Sequence, residues 1–562
     1  MLQVNSSPVI NVSLEVGQVS ETVEVQANAV TVETRNVGIA QTMENERILE
    51  LPLNGRNVQD LVLLSGAAVS MGVTSGRQFP DRIAISAAGS LGFDTNYELD
   101  GIRHVDSYDG QAMPLPFPDA LQEFKVETSG LTAQNGRGSS VGAVTKSGTN
   151  DFHGDLFEFV RNDLFNATSY FAAVGPDGKK VRSTLKRNQL GGTVGGPIMK
   201  NKLFFFGGYQ GTVLRQDPAD TKQYIPTAAM LAGDFTAITS PACNAGRQIN
   251  LGSPFVGNRI DPAQFSKAAL NITSRLPKTD NPCGEITFGR RDNQNSGQFV
   301  TRIDYQLSDK HSLFGRYVWN RLELIHPFTY TPDNILNTTN AGYNDHAHAG
   351  TIGSTYLIGP NMINAFRVGI TRTNQRRVGA QFFEFKDVGI NAYAYVPHYM
   401  SLGVTGGFSI GGGTQSDSNF TTTAYTLEDD ISFTTAAHQI GFGGTAVHSR
   451  ANINAWAASG VFGFTGSESG LGLADFLRGR PSTFLQGDSN RLYARNTQLA
   501  MYAQDAWKVN PRVTMNYGIR WQPIFPMKDM RKPVPSIMVF NYDRFVKGLK
   551  SSVFKNAPAG ML

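Results

Sequence analysis

A serine between two glycines is the first residue in this sequence whose spacing could support chemistry. Residues 138–142 read Gly-Ser-Ser-Val-Gly and match the G-x-S-x-G pattern, in which Ser140 would be the nucleophile of a hydrolase. That chemistry requires a strand, a sharp turn and a helix, which together expose the serine hydroxyl. Residues 143–146, however, alternate as a strand does. The pattern therefore favours a structural turn over a hydrolase.

A second candidate is a metal cluster formed by Asp345, His346 and His348. Residues two apart lie on the same face of a strand, so the two imidazoles could bind one ion together. No third ligand is evident nearby, and a junction between a loop and a strand explains these residues equally well. The sequence predicts no metal site and no cofactor.

Three aspartates near a histidine could imitate a general acid–base site. Asp100, Asp106 and Asp109 lie close to His104 within a glycine-rich segment. Short polar side chains are common in exposed turns, where they hydrogen-bond to their own backbone. We therefore interpret this group as a solvated turn, and no catalytic residue is predicted anywhere in the chain.

The chain contains two cysteines, Cys243 and Cys283, in a stretch rich in Pro, Gly and Asn that is typical of a long loop. They are too far apart for a zinc knuckle, and no second pair completes a metal set. A disulfide that closes this loop would suit an oxidising compartment. Two unrelated free thiols are the alternative, because spacing alone does not establish pairing.

Charge and hydropathy exclude two further classes of protein. The 50 basic and 46 acidic residues are dispersed along the chain, whereas nucleic-acid binding requires a concentrated basic face. No segment approaches the ~20 apolar residues of a membrane helix. The start of the sequence has no visible signal peptide.

Repeated alternation of apolar and polar residues is the strongest structural signal. Segments 298–305, 312–319, 364–372 and 512–521 each set an apolar, often aromatic, face against a polar face. Segments of about ten residues with this pattern are typical of transmembrane β-barrel strands. A half-solvated soluble sheet gives the same alternation, so a secreted β-rich carbohydrate-active enzyme is a distant alternative. The intervals 218–295 and 403–419 are interpreted as long loops.

The first 150 residues differ from the rest of the chain. Residues 10–27 alternate as a hairpin, which we interpret as the end of a domain whose beginning is absent. Residues 31–150 mix short strands with one short helix, which Asn57 would cap and Gly66 would end. This part of the chain is predicted to be a small α+β unit.

Several long segments resemble the TonB-dependent outer-membrane receptors, and most closely the Oar-like group. The similar segments are ELPLNGRNVQDLVLLSGAAV at 50–69, NYELDGI at 96–102, residues 120–162, RNQLGGTVGGPIMKNKLFFFGGYQG at 187–211, HQIGFGG at 438–444, LADFLRGRP at 473–481 and YAQDAWKVNPRVTMNYGIRW at 502–521. The resemblance implies a mainly β fold. Residues 1–30 would be the tail of a carboxypeptidase-regulatory-like, immunoglobulin-like β domain, 31–150 a plug, and 151–562 a partial antiparallel transmembrane β-barrel.

The resemblance also implies a function, namely non-enzymatic import of a surface-bound ligand through the plugged barrel. A siderophore, a glycan or a peptide would be the ligand, and the partners would be outer-membrane lipid and a TonB-type energy-transducing protein of the inner membrane, without nucleic acid. A surface-structural or secretion-assisting role of the same barrel is the alternative. The plug motif would comprise Pro52, Asn54, Gly55, Arg56 and Asn57. Arg56 would pair with a barrel carboxylate or remain solvated.

The length of the barrel gives one more expectation. Receptors of this fold close about 22 strands around a plugged lumen. Only about a dozen segments of the sequence have the pattern and length of such strands. We therefore expect the sequence to be a fragment of a longer protein.

Overall fold

The structure is a computed structural model. It describes residues 39–71, 84–129, 132–136, 138–168, 170, 178–180, 182–217, 221–394, 396–412, 417–456, 460–486, 489–523, 525–530, 541–551 and 559–560. The predicted hairpin at 10–27 lies outside the described residues. None of the helices described is long and apolar enough to cross a membrane.

The predicted plug region is a small α+β unit, described from residue 39 onward. Its five-stranded sheet has the order β1-β6-β7-β4-β5, and a two-stranded sheet pairs β2 with β3. The bounds are β1 Ile39–Glu44, α1 Asn45–Glu50, β2 Ala68–Ser70, β3 Ile85–Ala87, β4 Thr95–Leu99, β5 Ile102–Arg103, β6 Leu121–Ser129 and β7 Ser139–Thr145, with 3₁₀ helices at Val58–Ser65 and Pro118–Ala120.

The 3₁₀ helix Val58–Ser65 begins and ends as predicted. The Asn57 side chain accepts a hydrogen bond from the Gln59 backbone N–H, and Gly66 ends the helix with φ +78°. Glycine adopts this left-handed backbone conformation without steric strain because it lacks a Cβ. Leu61 and Val62 point into the core of the plug region, where both are buried. Each such side chain contributes about 1.5–3 kcal/mol of transfer free energy.

An antiparallel sheet of 12 strands forms the second part of the chain, in the order β24-β23-β20-β19-β16-β15-β14-β13-β10-β9-β8, with β25 paired to β23. Among the described residues, no ladder joins the end strands β8 and β24. The bounds are β8 His153–Asn162, β9 Thr184–Met199, β10 Leu203–Asp217, β13 Asp292–Ser308, β14 His311–Ile325, β15 Gly342–Gly359, β16 Met362–Val378, β19 Ser418–Thr434, β20 His438–Trp456, β23 Ser489–Asn510, β24 Val513–Trp521 and β25 Lys528–Asp529.

The alternation predicted for this barrel sheet is confirmed, but the strand lengths are wrong. Phe299 and Ile303 of β13 are 39% and 49% exposed on the outer face, whereas Val300 is fully buried on the inner face. The strand β13 has 17 residues and β23 has 22, against the ten or so that were predicted. A bilayer requires only ~9–11 residues per tilted strand. The strands therefore extend beyond the hydrocarbon core.

The two ends of the barrel sheet differ in their connections. Tight turns at residues 200–202, 309–310, 360–361, 435–437 and 511–512 join neighbouring strands at one end. At the other end the connections are long, and they include residues 218–291, 379–417 and 457–488. Outer-membrane barrels carry short periplasmic turns and long external loops. This asymmetry indicates that the tight turns face the periplasm and that the long connections face the outside of the cell.

The long connections fold together into a third unit, which we call the outer cap. It contains β11 Thr221–Tyr224, β12 Glu285–Phe288, β17 Ser401–Val404, β18 Ser409–Ile410, β21 Val461–Phe464, β22 Thr483–Leu485, α2 Ala228–Leu231, α3 Lys267–Thr273, α4 Gly472–Leu477 and 3₁₀ helices at Pro241–Cys243, Pro262–Gln264, Pro327–Tyr330, Ile335–Thr339 and Phe385–Val388. Its core brings together Phe235, Leu336, Phe408 and Phe476 from four different connections. The described parts of the predicted loops 218–295 and 403–419 therefore contain helices and strands. A 3₁₀ helix at Asp163–Phe165 and α5 at Tyr542–Val546 complete the described elements.

Candidate functional site

The contact between the plug region and the barrel sheet is the candidate functional site, and Asp100 lies in its centre. The Asp100 carboxylate accepts hydrogen bonds from Arg302 Nη1 of β13 at 2.9 Å and from Arg316 Nε of β14 at 3.0 Å. It also accepts the backbone N–H of Thr145 at 2.9 Å. Burial alone would raise the pKa of the Asp100 carboxyl, but Arg302 and Arg316 outweigh it and hold the pKa below its ordinary value. The carboxylate is therefore ionised inside the barrel.

The two arginines are fixed by further bonds. Arg302 also pairs with Asp304 on its own strand at 2.9 Å. Arg316 donates to the carbonyl oxygens of Leu99 and Ala349 at 3.1 Å. The side chains of Arg316 and Asp100 are 1% and 2% exposed. Separating the plug region from the barrel at this point would leave buried charges without partners, which is costly.

Asp106 makes a second contact between plug and barrel. Its Oδ2 accepts hydrogen bonds from the hydroxyls of Thr373 on β16 and Thr422 on β19, at 2.6 and 3.1 Å. Asp100, His104 and Asp106 are all buried. The interpretation of this segment as a solvated turn is therefore wrong. A local sequence rule favoured exposure, whereas the partners are more than 200 residues away.

Of the predicted plug motif, the structure places four residues against the barrel. Asn54, Gly55, Arg56 and Asn57 line a cavity between the plug region and the barrel sheet, and Pro52 is not part of that lining. Gly55 has φ +79°, and a Cβ there would collide with the Arg187 guanidinium of β9. Glycine is thus required twice at this turn, for its backbone conformation and for the close approach of Arg187.

Arg56 neither pairs with a barrel carboxylate nor remains solvated, so both expectations for it are wrong. Its guanidinium pairs with Asp119, a carboxylate of the plug region and not of the barrel. Arg56 Nε also donates to Gln210 Oε1 on β10 at 3.2 Å. The guanidinium lies over the rings of Phe157 and Phe159 of β8. Arg56 is therefore a plug residue whose charge is neutralised locally and whose flat face packs on the barrel.

Hydrogen bonds from amide and guanidinium side chains complete the contact. Gln298 Nε2 of β13 donates to the Leu115 carbonyl at 2.8 Å, and Gln189 Nε2 of β9 donates to the Gly55 carbonyl at 3.1 Å. On the far strands, Gln498 Oε1 of β23 accepts from Arg103 at 2.8 Å, and Arg520 of β24 donates to the Gln134 carbonyl at 2.8 Å. The plug region is thus held from strands along the whole sheet, mainly through single hydrogen bonds, each of modest net energy.

Glu98 is a buried carboxyl with the opposite shift from Asp100. Burial raises the pKa of Glu98, and this effect outweighs the Asn96 amide hydrogen bond at 2.7 Å and the nearby Arg367. Protonation of Glu98 thus stabilises the plug region against the barrel sheet, whereas protonation of Asp100 would weaken the contact between them.

The residues considered for catalysis or metal binding are not arranged for either. Ser140 lies in the strand β7, and the next described element is the strand β8 instead of a helix. Asp345 is buried and paired with Arg377, whereas His348 contacts Tyr317 at 2.8 Å in an exposed position. Within the described ranges, no group of three or more His, Cys, Asp or Glu side chains could hold a metal ion.

Cys243 and Cys283 lie in the outer cap. They form a disulfide with their Cα atoms 5.4 Å apart, and the bond spans 40 residues of the connection between β10 and β13. Both side chains pack against the core of the cap. The disulfide therefore closes an ordered external segment and lies outside the contact between the plug region and the barrel.

An antiparallel barrel sheet with an apolar outer face, tight turns at one end and an α+β unit bound to its inner face defines an outer-membrane barrel protein. The sequence matches the outer membrane β-barrel domain family over residues 144–546, and the chain belongs to that family. It is a protein of the outer membrane.

Comparison with individual proteins gives three similarities. The chain is 27% identical over 217 residues to the TonB-dependent transporter Oar of Myxococcus xanthus, which covers 37% of this chain and 20% of that protein. The structure is similar to the outer membrane transporter YddB of Escherichia coli, with a TM-score of 0.50, 14% identity, and 86% and 56% of the two chains covered. A mutant of the ferric enterobactin receptor PfeA of Pseudomonas aeruginosa has a TM-score of 0.48, 10% identity, and coverage of 87% and 58%. The chain thus spans a fifth of the curated relative and somewhat more than half of the solved structures. These relatives are transporters and receptors, not enzymes.

Proposed function

We propose that the protein is a TonB-dependent receptor, which binds a ligand at the cell surface and imports it through its plugged barrel. The observation that carries the proposal is the contact between the plug region and the barrel sheet. There a buried Asp100 forms ion pairs with Arg302 and Arg316, and the surrounding contacts are mostly single hydrogen bonds. Such a contact is specific, and it is polar enough to be exchanged for water when the plug is pulled.

The energy for this movement comes from outside the chain. The outer membrane has no nucleotide supply, so an inner-membrane energy-transducing protein of the TonB type is the partner that pulls the plug. Outer-membrane lipid contacts the apolar outer face of the barrel sheet. The similarity to the Oar transporter supports this proposal. A siderophore, a glycan or a peptide is the cargo.

Depletion of a complex growth medium tests the proposal even while the ligand is unidentified. The source bacterium, a strain that lacks this protein and a strain that lacks the energy-transducing protein are grown in the same medium, and the compounds left in each are compared by mass spectrometry. We expect at least one compound to be consumed by the parent strain and left by both mutants.

A medium depleted equally by all three strains would contradict import. The same cultures test the alternative of a surface-structural or secretion-assisting role. Loss of surface or secreted proteins in the strain without this protein, with depletion of the medium unchanged, would favour that alternative over transport.

A further inference from the structure

A polar cavity of about 340 Å³ lies between the plug region and the barrel sheet, near the end of the sheet that carries the long connections. We call it the outer cavity. Plug residues 54–60 and 114–117 form one side, and β9, β10, β13 and β14 form the other. Its volume is at the lower end of the range of small-ligand sites. The cavity therefore has room for a short segment of a ligand.

Carboxamide side chains dominate the barrel side of the outer cavity. Gln189, Gln210, Gln298 and Asn320 come from four consecutive strands of the barrel sheet. Gln189, Gln210 and Gln298 already hydrogen-bond to the plug region, so the wall is held in place. Each carboxamide has both a donor and an acceptor. This chemistry suits a neutral ligand that itself alternates donors and acceptors.

Gln59 is the residue that points to a ligand. It lines the outer cavity and is 1% exposed, yet neither its amide nitrogen nor its amide oxygen has a hydrogen-bond partner within the described chain. Arg187, on the opposite wall, has a buried Nε that also lacks a partner. Buried polar groups are nearly always hydrogen-bonded, because leaving them unsatisfied costs free energy. Two donor nitrogens and one acceptor oxygen in the same cavity therefore lack hydrogen-bond partners within the described chain.

Charge and shape narrow the class of ligand. Two of the arginines in the lining are neutralised, Arg56 by Asp119 and Arg321 by Glu323. Arg187 is the third arginine of the lining and pairs with no carboxylate among the described residues, so a polyanionic ligand finds a single unpaired positive charge. Phe117 is 2% exposed and its ring packs on Phe157, so it presents no open aromatic face for a sugar ring.

We propose that the outer cavity binds the backbone of a short, extended peptide. The N–H and C=O of one extended residue lie on the same edge, and they match the acceptor and the donor of the Gln59 carboxamide. Arg187 Nε donates to a further peptide carbonyl. This inference rests on the proposed function, since it names the class of ligand that the receptor takes.

Binding to the purified full chain in detergent tests the proposal. The probes are an equimolar mixture of synthetic tri- to hexapeptides and, separately, a mixture of malto-oligosaccharides, and native mass spectrometry records which compounds remain bound. We expect peptides and no oligosaccharides to bind. The variant Gln59→Leu should weaken peptide binding about tenfold or more, because two hydrogen bonds are lost. The variant Gln375→Leu is the matched control, since Gln375 is 2% exposed and lies outside the cavity lining.

Thermal unfolding of the same variants separates a binding role from a structural one. Gln59→Leu removes an unsatisfied polar group, so its unfolding midpoint without peptide should equal or exceed that of the unaltered chain. A lower midpoint would show that Gln59 holds the fold, and would overturn the proposal. Binding of oligosaccharides instead of peptides, binding of neither, or equal peptide binding by the Gln59→Leu variant would also overturn it.

Uptake by cells distinguishes failure of this inference from failure of the proposed function. Energy-dependent uptake of peptides that the Gln59→Leu variant retains would reject the outer cavity while leaving transport intact. Peptide binding to the purified chain without energy-dependent uptake would reject transport while leaving the outer cavity as a peptide site.

Discussion

Replacing Asp100 by alanine should weaken the contact between the plug region and the barrel sheet by about 3 kcal/mol. Arg302 keeps its ion pair with Asp304, so the substitution leaves one buried guanidinium, that of Arg316, without a carboxylate. Removing one member of a buried ion pair costs about 3–5 kcal/mol. We take the lower value of about 3 kcal/mol, because Arg316 keeps the carbonyl oxygens of Leu99 and Ala349.

Hydrogen exchange of the plug sheet measures this loss. The backbone amides of Val141 and Ala143 lie in β7, the central strand of the five-stranded sheet. If they exchange through release of the plug, Asp100→Ala should speed their exchange about a hundredfold. Asp109→Asn is the control, because Asp109 accepts the Gln111 backbone N–H within its own loop. It should leave the exchange of both amides unchanged.

A double variant checks the electrostatic explanation. Asp100→Leu combined with Arg316→Met removes both charges and replaces them with apolar side chains, which is often neutral. Exchange in this variant should return to within about tenfold of the unaltered chain. Exchange unchanged in Asp100→Ala, or as fast in the double variant as in the single one, would refute the reasoning.

Three further predictions concern strain, the outer cap and pH. Gly55→Ala should destabilise the plug region by about 1–3 kcal/mol in denaturant unfolding, because a Cβ at φ +79° meets a barrel guanidinium; an unchanged midpoint would contradict this. Replacing Cys243 and Cys283 by serine should lower the free energy of unfolding of the outer cap by about 4 kcal/mol, from the 40-residue loop that the disulfide closes, and limited proteolysis should then cut the cap while the barrel sheet stays intact. Lowering the pH from 7 to 5 should leave the protection factors of the plug amides, which are corrected for the pH dependence of intrinsic exchange, unchanged or higher. The stability from Asp100 is lost only as the pH falls from the ordinary aspartate pKa of 3.8 towards its depressed value, and protonation of Glu98 stabilises the plug region against the barrel sheet. Lower protection factors at pH 5 would contradict this assignment.

Alternation predicted the barrel strands because the bilayer imposes it. The segments 298–305, 312–319, 364–372 and 512–521 all lie within or overlap strands of the barrel sheet. The sequence underestimated their lengths because the ends beyond the hydrocarbon core are polar on both faces. Residues 292–297 of β13 read Asp-Asn-Gln-Asn-Ser-Gly and carry no period-two pattern. Hydrogen bonding to β10 and β14 nevertheless extends the strand through them.

The outer cap and the ion pairs of Asp100 were not predicted because both depend on contacts between residues far apart in the sequence. Phe235, Phe408 and Phe476 come from separate connections, and only their meeting in one core shows that these loops fold. Likewise, Asp100 bonds Arg302 and Arg316 across 202 and 216 residues. Local spacing does not indicate such pairs. The one signal in the sequence was the alternation of β13 and β14, which places Arg302 and Arg316 on the inner face of two neighbouring strands.

The central claim, that an energy-transducing partner moves a plug held by polar contacts, is tested most directly by labelling the plug in living cells. Ala120 is fully buried in the plug region, and Ala120→Cys adds a thiol there with little change in volume. Maleimide should label this thiol in respiring cells that consume the medium, and labelling should stop with an uncoupler or without the energy-transducing protein. Equal labelling under all three conditions, or none in respiring cells, would contradict the account.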